Sequence, residues 1–122
     1  MSMDHASPQM AQERMLPVPG SYRCAECPKL FLPAGPRQMF CCPAHRTAWH
    51  DRDKIRGRML VPLRMAAQIT RGGSRGDIEI GKKARRDAEH LERRWIAEDK
   101  AAGRMNPAEY MRRRYALGFG RT

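Results

Sequence analysis

The stretch CAECPKLFLPAGPRQMFCCPAHR, residues 24–46, decides how this chain is built. It sets Cys24 and Cys27 with two residues between them, leaves thirteen residues, and then places Cys41 and His45 with three residues between them. A C-x-x-C turn directs two thiolates toward one point. A second pair from a distant segment closes a tetrahedron, and only then does the metal cross-link the fold. The spacing therefore predicts one structural zinc ion held by Cys24, Cys27, Cys41 and His45. In small fingers such an ion supplies about 10–16 kcal/mol of apparent binding free energy, comparable to the stability of a whole domain. Few large apolar side chains lie in residues 21–50, so a metal staple is what this segment needs. Cys42 in place of Cys41, and His50 in place of His45, stay open as alternative ligands. A redox role for Cys24 and Cys27 lacks a surrounding thioredoxin-like βαβ pattern. His5 and His90 read as surface residues.

Outward from this stretch, Leu30–Leu32 and Arg37–Phe40 read as two short strands around the turn signal Pro33-Ala34-Gly35-Pro36, which makes a hairpin. Pro43 suits the first turn of a helix. Behind it Ala48, Ile55, Met59, Leu63, Ala66 and Ile69 fall along one helical face, and Pro62 predicts a break or kink near Val61. Arg71–Gly76 reads as a flexible linker. A second helix is expected from an N-cap at Asp77, with the stripe Ile80, Ala84, Ala88, Leu91 and Trp95, and a stop at Gly103. Asn106-Pro107-Ala108-Glu109 supplies an N-cap, an N1 proline and an N3 glutamate for a third helix, which runs to about Leu117. The expected organisation is a disordered lead over 1–20, the finger and its helix over 21–60, a kinked helix end and Gly/Arg linker over 61–76, and a helical C-terminal segment with a basic tail over 77–122. The fold class is small, α-rich α+β, with an N-terminal zinc-stabilised hairpin plus helix followed by two or three helices.

Cys24-Ala-Glu-Cys27-Pro-Lys-Leu-Phe31, followed by Arg37-Gln-Met-Phe40-Cys41-Cys42-Pro43-Ala44-His45-Arg46, resembles the treble-clef-type fingers with a C-x2-C-x-x-x-F half and an F-C-S-x-x-C-R half. This FCS-like or MYM-like pattern is common in short bacterial and phage proteins, and the likeness covers about a quarter of the chain. Two departures stand out: Cys42 occupies the usual serine position, and His45 the position of the fourth cysteine. The resemblance implies a treble-clef-like finger with a structural metal, and a bacterial or phage setting.

The chain of 122 residues carries a net charge of +11 and a pI near 10.4, which favours a polyanionic partner. Residues 21–76 hold eleven basic against three acidic side chains, and the excess in the C-terminal part sits after Lys100. Arg46, Arg52, Lys54, Arg56 and Arg58 lie on the helix leaving the zinc site, and Arg112, Arg113 and Arg114 stand between Tyr110 and Tyr115. These eight are the candidate nucleic-acid-binding residues, with duplex DNA ahead of RNA. The rival expectation is a zinc-stabilised adaptor or assembly component that pairs with a protein partner or a second copy through the 80–95 stripe. Four protein ligands fill a zinc shell, and no P-loop, Ser-His-Asp arrangement or nucleotide glycine fingerprint appears, so no enzymatic activity is expected. His50-Asp51 is similar to part of the metal-dependent nucleases built on ββα units, but the further His and Asn residues these need upstream are missing. No basic start followed by an apolar run opens the sequence, and no apolar run reaches the roughly 18 residues of a membrane span, so the expected compartment is the cytoplasm and no membrane partner is expected.

Overall fold

The computed structural model describes residues 20–73 and 75–118, and of Arg75 and Gly76 the backbone alone. The lead expected over residues 1–20 lies, apart from Gly20, outside the described residues. Two short strands, β1 (Tyr22–Arg23) and β2 (Leu30–Phe31), pair antiparallel with Tyr22 opposite Phe31 and Arg23 opposite Leu30. Three helices follow: α1 (Pro43–Ile69), α2 (Arg75–Ala101) and α3 (Pro107–Ala116).

The hairpin thus closes around the C-x-x-C turn. The returning strand expected over Arg37–Phe40 is absent: Pro33 and Pro36 remove ladder donors, and Gln38 spends its side chain locally on the Ala34 amide and the Phe40 carbonyl. That segment is instead anchored by one backbone bond, from the Ala25 amide to the Met39 carbonyl (2.9 Å).

Helix α1 starts at Pro43 and runs through Pro62 without interruption, so the expected break near Val61 does not occur. Pro62 and Arg58, the residue whose carbonyl loses its amide partner there, are both exposed, which lets water satisfy that carbonyl. On either side Leu60 and Leu63 are half-buried, and the Arg64–Glu92 ion pair ties the helix to α2. The inner face is also rotated from the expected one. Trp49 and Ala67 are buried, whereas Ile55, Met59 and Ile69 are exposed. Residues 59–69 are apolar nearly all round, so periodicity alone did not single out a face there.

The connection from α1 to α2 is a tight turn in which Gly72 has φ +75°. The two helices pack on one another, with Ala67 buried on α1 and Gly81, Ala84 and Ala88 buried on α2. A Cβ at Gly81 would stand 1.8 Å from Thr70 Oγ1. The stripe on α2 therefore serves α1, although Ile80 at its end stays exposed. Helix α2 ends before Gly103 (φ +76°), and Asn106 caps α3 by accepting from the Ala108 amide (2.7 Å).

The third helix does not stand apart with α2. It returns to the finger, and Cys24, Ala25, Met39, Phe40, Trp49, Met105 and Tyr110 form one core. Trp49 stacks on Tyr110 at 4.6 Å between ring centroids, and the Met105 amide donates to the Ala25 carbonyl (2.8 Å). An ionic chain joins this core to the helical pair. Glu26, inside the C-x-x-C turn, accepts both Arg52 nitrogens (2.9 and 2.6 Å) and lies 3.8 Å from Arg104. Arg104 and Arg56 both donate to buried Asp99, and Arg56 also lies over the Trp95 ring at 5.4 Å.

Two expectations follow from this packing. Pro62→Ala restores a helical amide and should stabilise the protein by up to about 3 kcal/mol in urea unfolding followed by circular dichroism. Unchanged or lower stability would contradict a regular helix at that position. Burial alone would push the Asp99 carboxyl up, but the hydrogen bonds from Arg56 and Arg104 hold it below its ordinary value. A depressed folded-state pKa contributes stability above the unfolded value, about 3.9, and that contribution is lost as pH falls through the folded value. Asp99→Asn should cost roughly 1–3 kcal/mol at pH 7, between the ranges for exposed and buried pairs, and the deficit should narrow below about pH 4. The difference between the two proteins reads the ionic chain, since acid protonates the cysteine–histidine cluster in both.

Candidate metal centre

The β1–β2 hairpin presents Cys24 and Cys27 on its connecting turn, closed by the bond from the Cys24 amide to the Lys29 carbonyl (2.9 Å). The second pair comes from the start of α1. Cys42 is the N-cap in extended conformation and Pro43 the first helical residue, so His45 falls in the first turn. Cys41 and His45, four residues apart, point to the same side, with Cys41 Sγ 3.2 Å from His45 Nδ1.

The ligand atoms of Cys24, Cys27, Cys41 and His45 all lie within 4.8 Å of one another. Zinc bond lengths of about 2.3 Å to sulfur and 2.0–2.1 Å to nitrogen require edges of about 3.8 Å between two sulfurs and about 3.6 Å between sulfur and nitrogen. Cys27 Sγ to Cys41 Sγ is 3.9 Å, and Cys24 Sγ to His45 Nδ1 is 3.8 Å. These two edges suit a tetrahedral ion, while Cys41 Sγ to His45 Nδ1, at 3.2 Å, is shorter than a zinc-bound edge. The Cys41 amide also points at Cys24 Sγ (3.3 Å), a bond that favours thiolate over thiol. Burial opposes ionisation of Cys24, yet this amide, His45 and the amides of Glu26 and Cys27 together bring its pKa down to about 7. Burial and the crowding of Cys24 and Cys27 around it push Cys41 up to about 12. A divalent cation reverses that penalty, because its ligands bind deprotonated.

The two alternative ligands lie elsewhere. Cys42 is outside the cluster, and the His50 ring meets Phe40 edge-on at 5.7 Å between centroids.

The eight arginine and lysine candidates separate into two groups. Arg52 and Arg56 are spent on Glu26 and Asp99. Arg113 donates to the Arg23 and Gln38 carbonyls and covers the Tyr22 ring at 4.5 Å, so it binds α3 to the finger. Arg114 donates to the Tyr110 hydroxyl (3.1 Å). Arg46, Lys54, Arg58 and Arg112 are exposed. Among the described residues Arg46, Arg58 and Arg112 have no acidic side chain within ion-pair distance, and Lys54 has only a loose contact with Asp51 at 3.9 Å. Sequence reasoning missed Glu26 as an organising residue; a carboxylate within C-x-x-C was the available signal.

The chain matches no family model, no curated protein and no solved structure.

Cys24→Ser should lose bound metal and the ordered environment of Trp49, while most of the α1–α2 helical signal remains. Cys42→Ser and His50→Ala should each keep one equivalent of metal. Mass-spectrometric metal analysis with near-ultraviolet circular dichroism checks both, and full metal content in Cys24→Ser would overturn the ligand set.

Proposed function

We propose that this protein is a nucleic-acid-binding module of the treble-clef type, with duplex DNA as the preferred partner and one structural zinc ion that fixes its binding helix. The observation that carries the reading is the outer face of α1. Arg46, His50, Lys54 and Arg58 recur there every four residues and are all exposed. Residues four apart lie one turn above another, so Arg46, Lys54 and Arg58, with His50 between the first two, form a basic row beginning at the metal cluster. A helix of this width fits the major groove, and each phosphate neutralised releases a counterion. The net charge of +11 acts in the same direction. Zinc here is structural: four protein ligands leave no open coordination position for chemistry.

A second reading has its own observation. Beyond Arg58 the outer face of α1 turns apolar, with Val61, Met65 and Ile69 57%, 64% and 82% exposed. Such a surface suits an adaptor whose partner is another protein.

Anisotropy titration of the zinc-loaded protein with labelled duplex DNA should show affinity that falls steeply and linearly on a log–log salt plot. Replacing Arg46, Lys54 and Arg58 together by glutamine should reduce the salt slope by about three and weaken binding by at least tenfold at low salt. Absence of binding at low salt would remove the nucleic-acid reading and leave the adaptor.

A further inference from the structure

Between the finger and α3 lies an open cup of about 710 Å3, within the roughly 300–1,000 Å3 of ordinary ligand pockets. Its two parts have opposite chemistry. The floor is apolar, from Met39, Phe40, Tyr110 and Leu117, the first three of which are themselves buried. The rim carries Arg37, Arg46, Arg114 and His50, and among the described residues no carboxylate lines the cup. Arg37 reaches across to the Leu117 carbonyl (3.3 Å), which draws the C-terminal end of α3 to the finger and closes one side. A ligand that combines an apolar part with a negative charge matches this lining.

Two rim residues also belong to the basic row. Arg46 and His50 line the cup and begin the series that continues through Lys54 and Arg58. A polyanion lying along α1 is thereby led to the mouth of the cup. We infer that the cup receives one unpaired nucleotide, its base against the apolar floor and its phosphate beside Arg37 and Arg46, so that the protein prefers a strand end or single-stranded extension beside a duplex. The inference rests on the nucleic-acid reading above and refines its target. Inside a duplex the bases are stacked and paired, and a cup cannot reach a base face; an unpaired base costs little to seat. Apolar and aromatic contact with one base is worth about 1–3 kcal/mol, which corresponds to a preference on the order of tenfold.

The test uses the full chain loaded with zinc and three labelled duplexes: blunt-ended, with a short thymine overhang, and with an overhang of equal length made of abasic sites. The abasic strand keeps the phosphates and removes the bases. The thymine overhang should bind about tenfold more tightly than the abasic one at equal salt. Cys42 lines the same cup outside the metal cluster, so its alkylation by a maleimide reports occupancy. Thymine-overhang DNA should slow that alkylation, and blunt duplex at equal fractional saturation should not. Equal affinity for all three duplexes, with unchanged alkylation, would overturn the cup while leaving nucleic-acid binding intact. A thymine preference without protection of Cys42 would place the base elsewhere and equally overturn it. Failure of every duplex to bind at low salt would overturn the nucleic-acid reading and this inference with it.

Discussion

Everything in the N-terminal half depends on holding two chain segments together at the point where Cys24 and Cys27 meet Cys41 and His45. Strands of two residues each do not hold themselves in water, and a hairpin needs a packed face or a cross-link to persist. The core beneath contains seven buried residues, two of which, Cys24 and Ala25, are small. A metal-binding free energy of about 10–16 kcal/mol is large against what such a core supplies. Glu26 lies between two residues of that cluster, Cys24 and Cys27. Arg52 and Arg104 meet this carboxylate beside the cluster that could hold a metal.

The helical pair obeys a different constraint. Its contact is built from alanine and glycine, which brings two backbones close but buries little apolar area per residue. Specific registration comes from polar groups set at intervals along it: Arg56 with Asp99 near the finger, Arg64 with Glu92 further along, and Thr70 at the turn beside Gly81. Charge spent in this way is unavailable to a partner. What remains on the outside divides α1 into a cationic first half and an apolar second half, and the two proposed kinds of partner follow from that division.

The sequence made legible those parts that rest on local chemistry. The two ligand pairs taken separately, the Asn106 cap with Pro107 behind it, and the glycine after α2 each depend on residues within a few positions of one another, and the structure brings the two pairs into one cluster and shows the cap and the glycine. The parts that rest on distant partners were not legible. Whether Leu30–Phe31 pairs with the segment before the first cysteine or with the one after the prolines depends on which backbone donors remain free. Whether Pro62 breaks a helix depends on what grips the turns around it. Arg52, Arg56 and Arg113 have the same character in the sequence as Arg46 and Arg58. Only the positions of Glu26, Asp99 and Tyr22 separate side chains that hold the fold from side chains left to the solvent.

The central claim is a tetrahedral ion held by three sulfurs and one imidazole, and X-ray absorption spectroscopy at the zinc edge tests it most directly. The account predicts three sulfur scatterers at about 2.3 Å and one nitrogen at about 2.0 Å in the protein as purified. A shell of four sulfurs would bring in Cys42 and displace His45. A shell dominated by light scatterers, or no zinc at all, would remove the cross-link from which the rest of the structure has been argued.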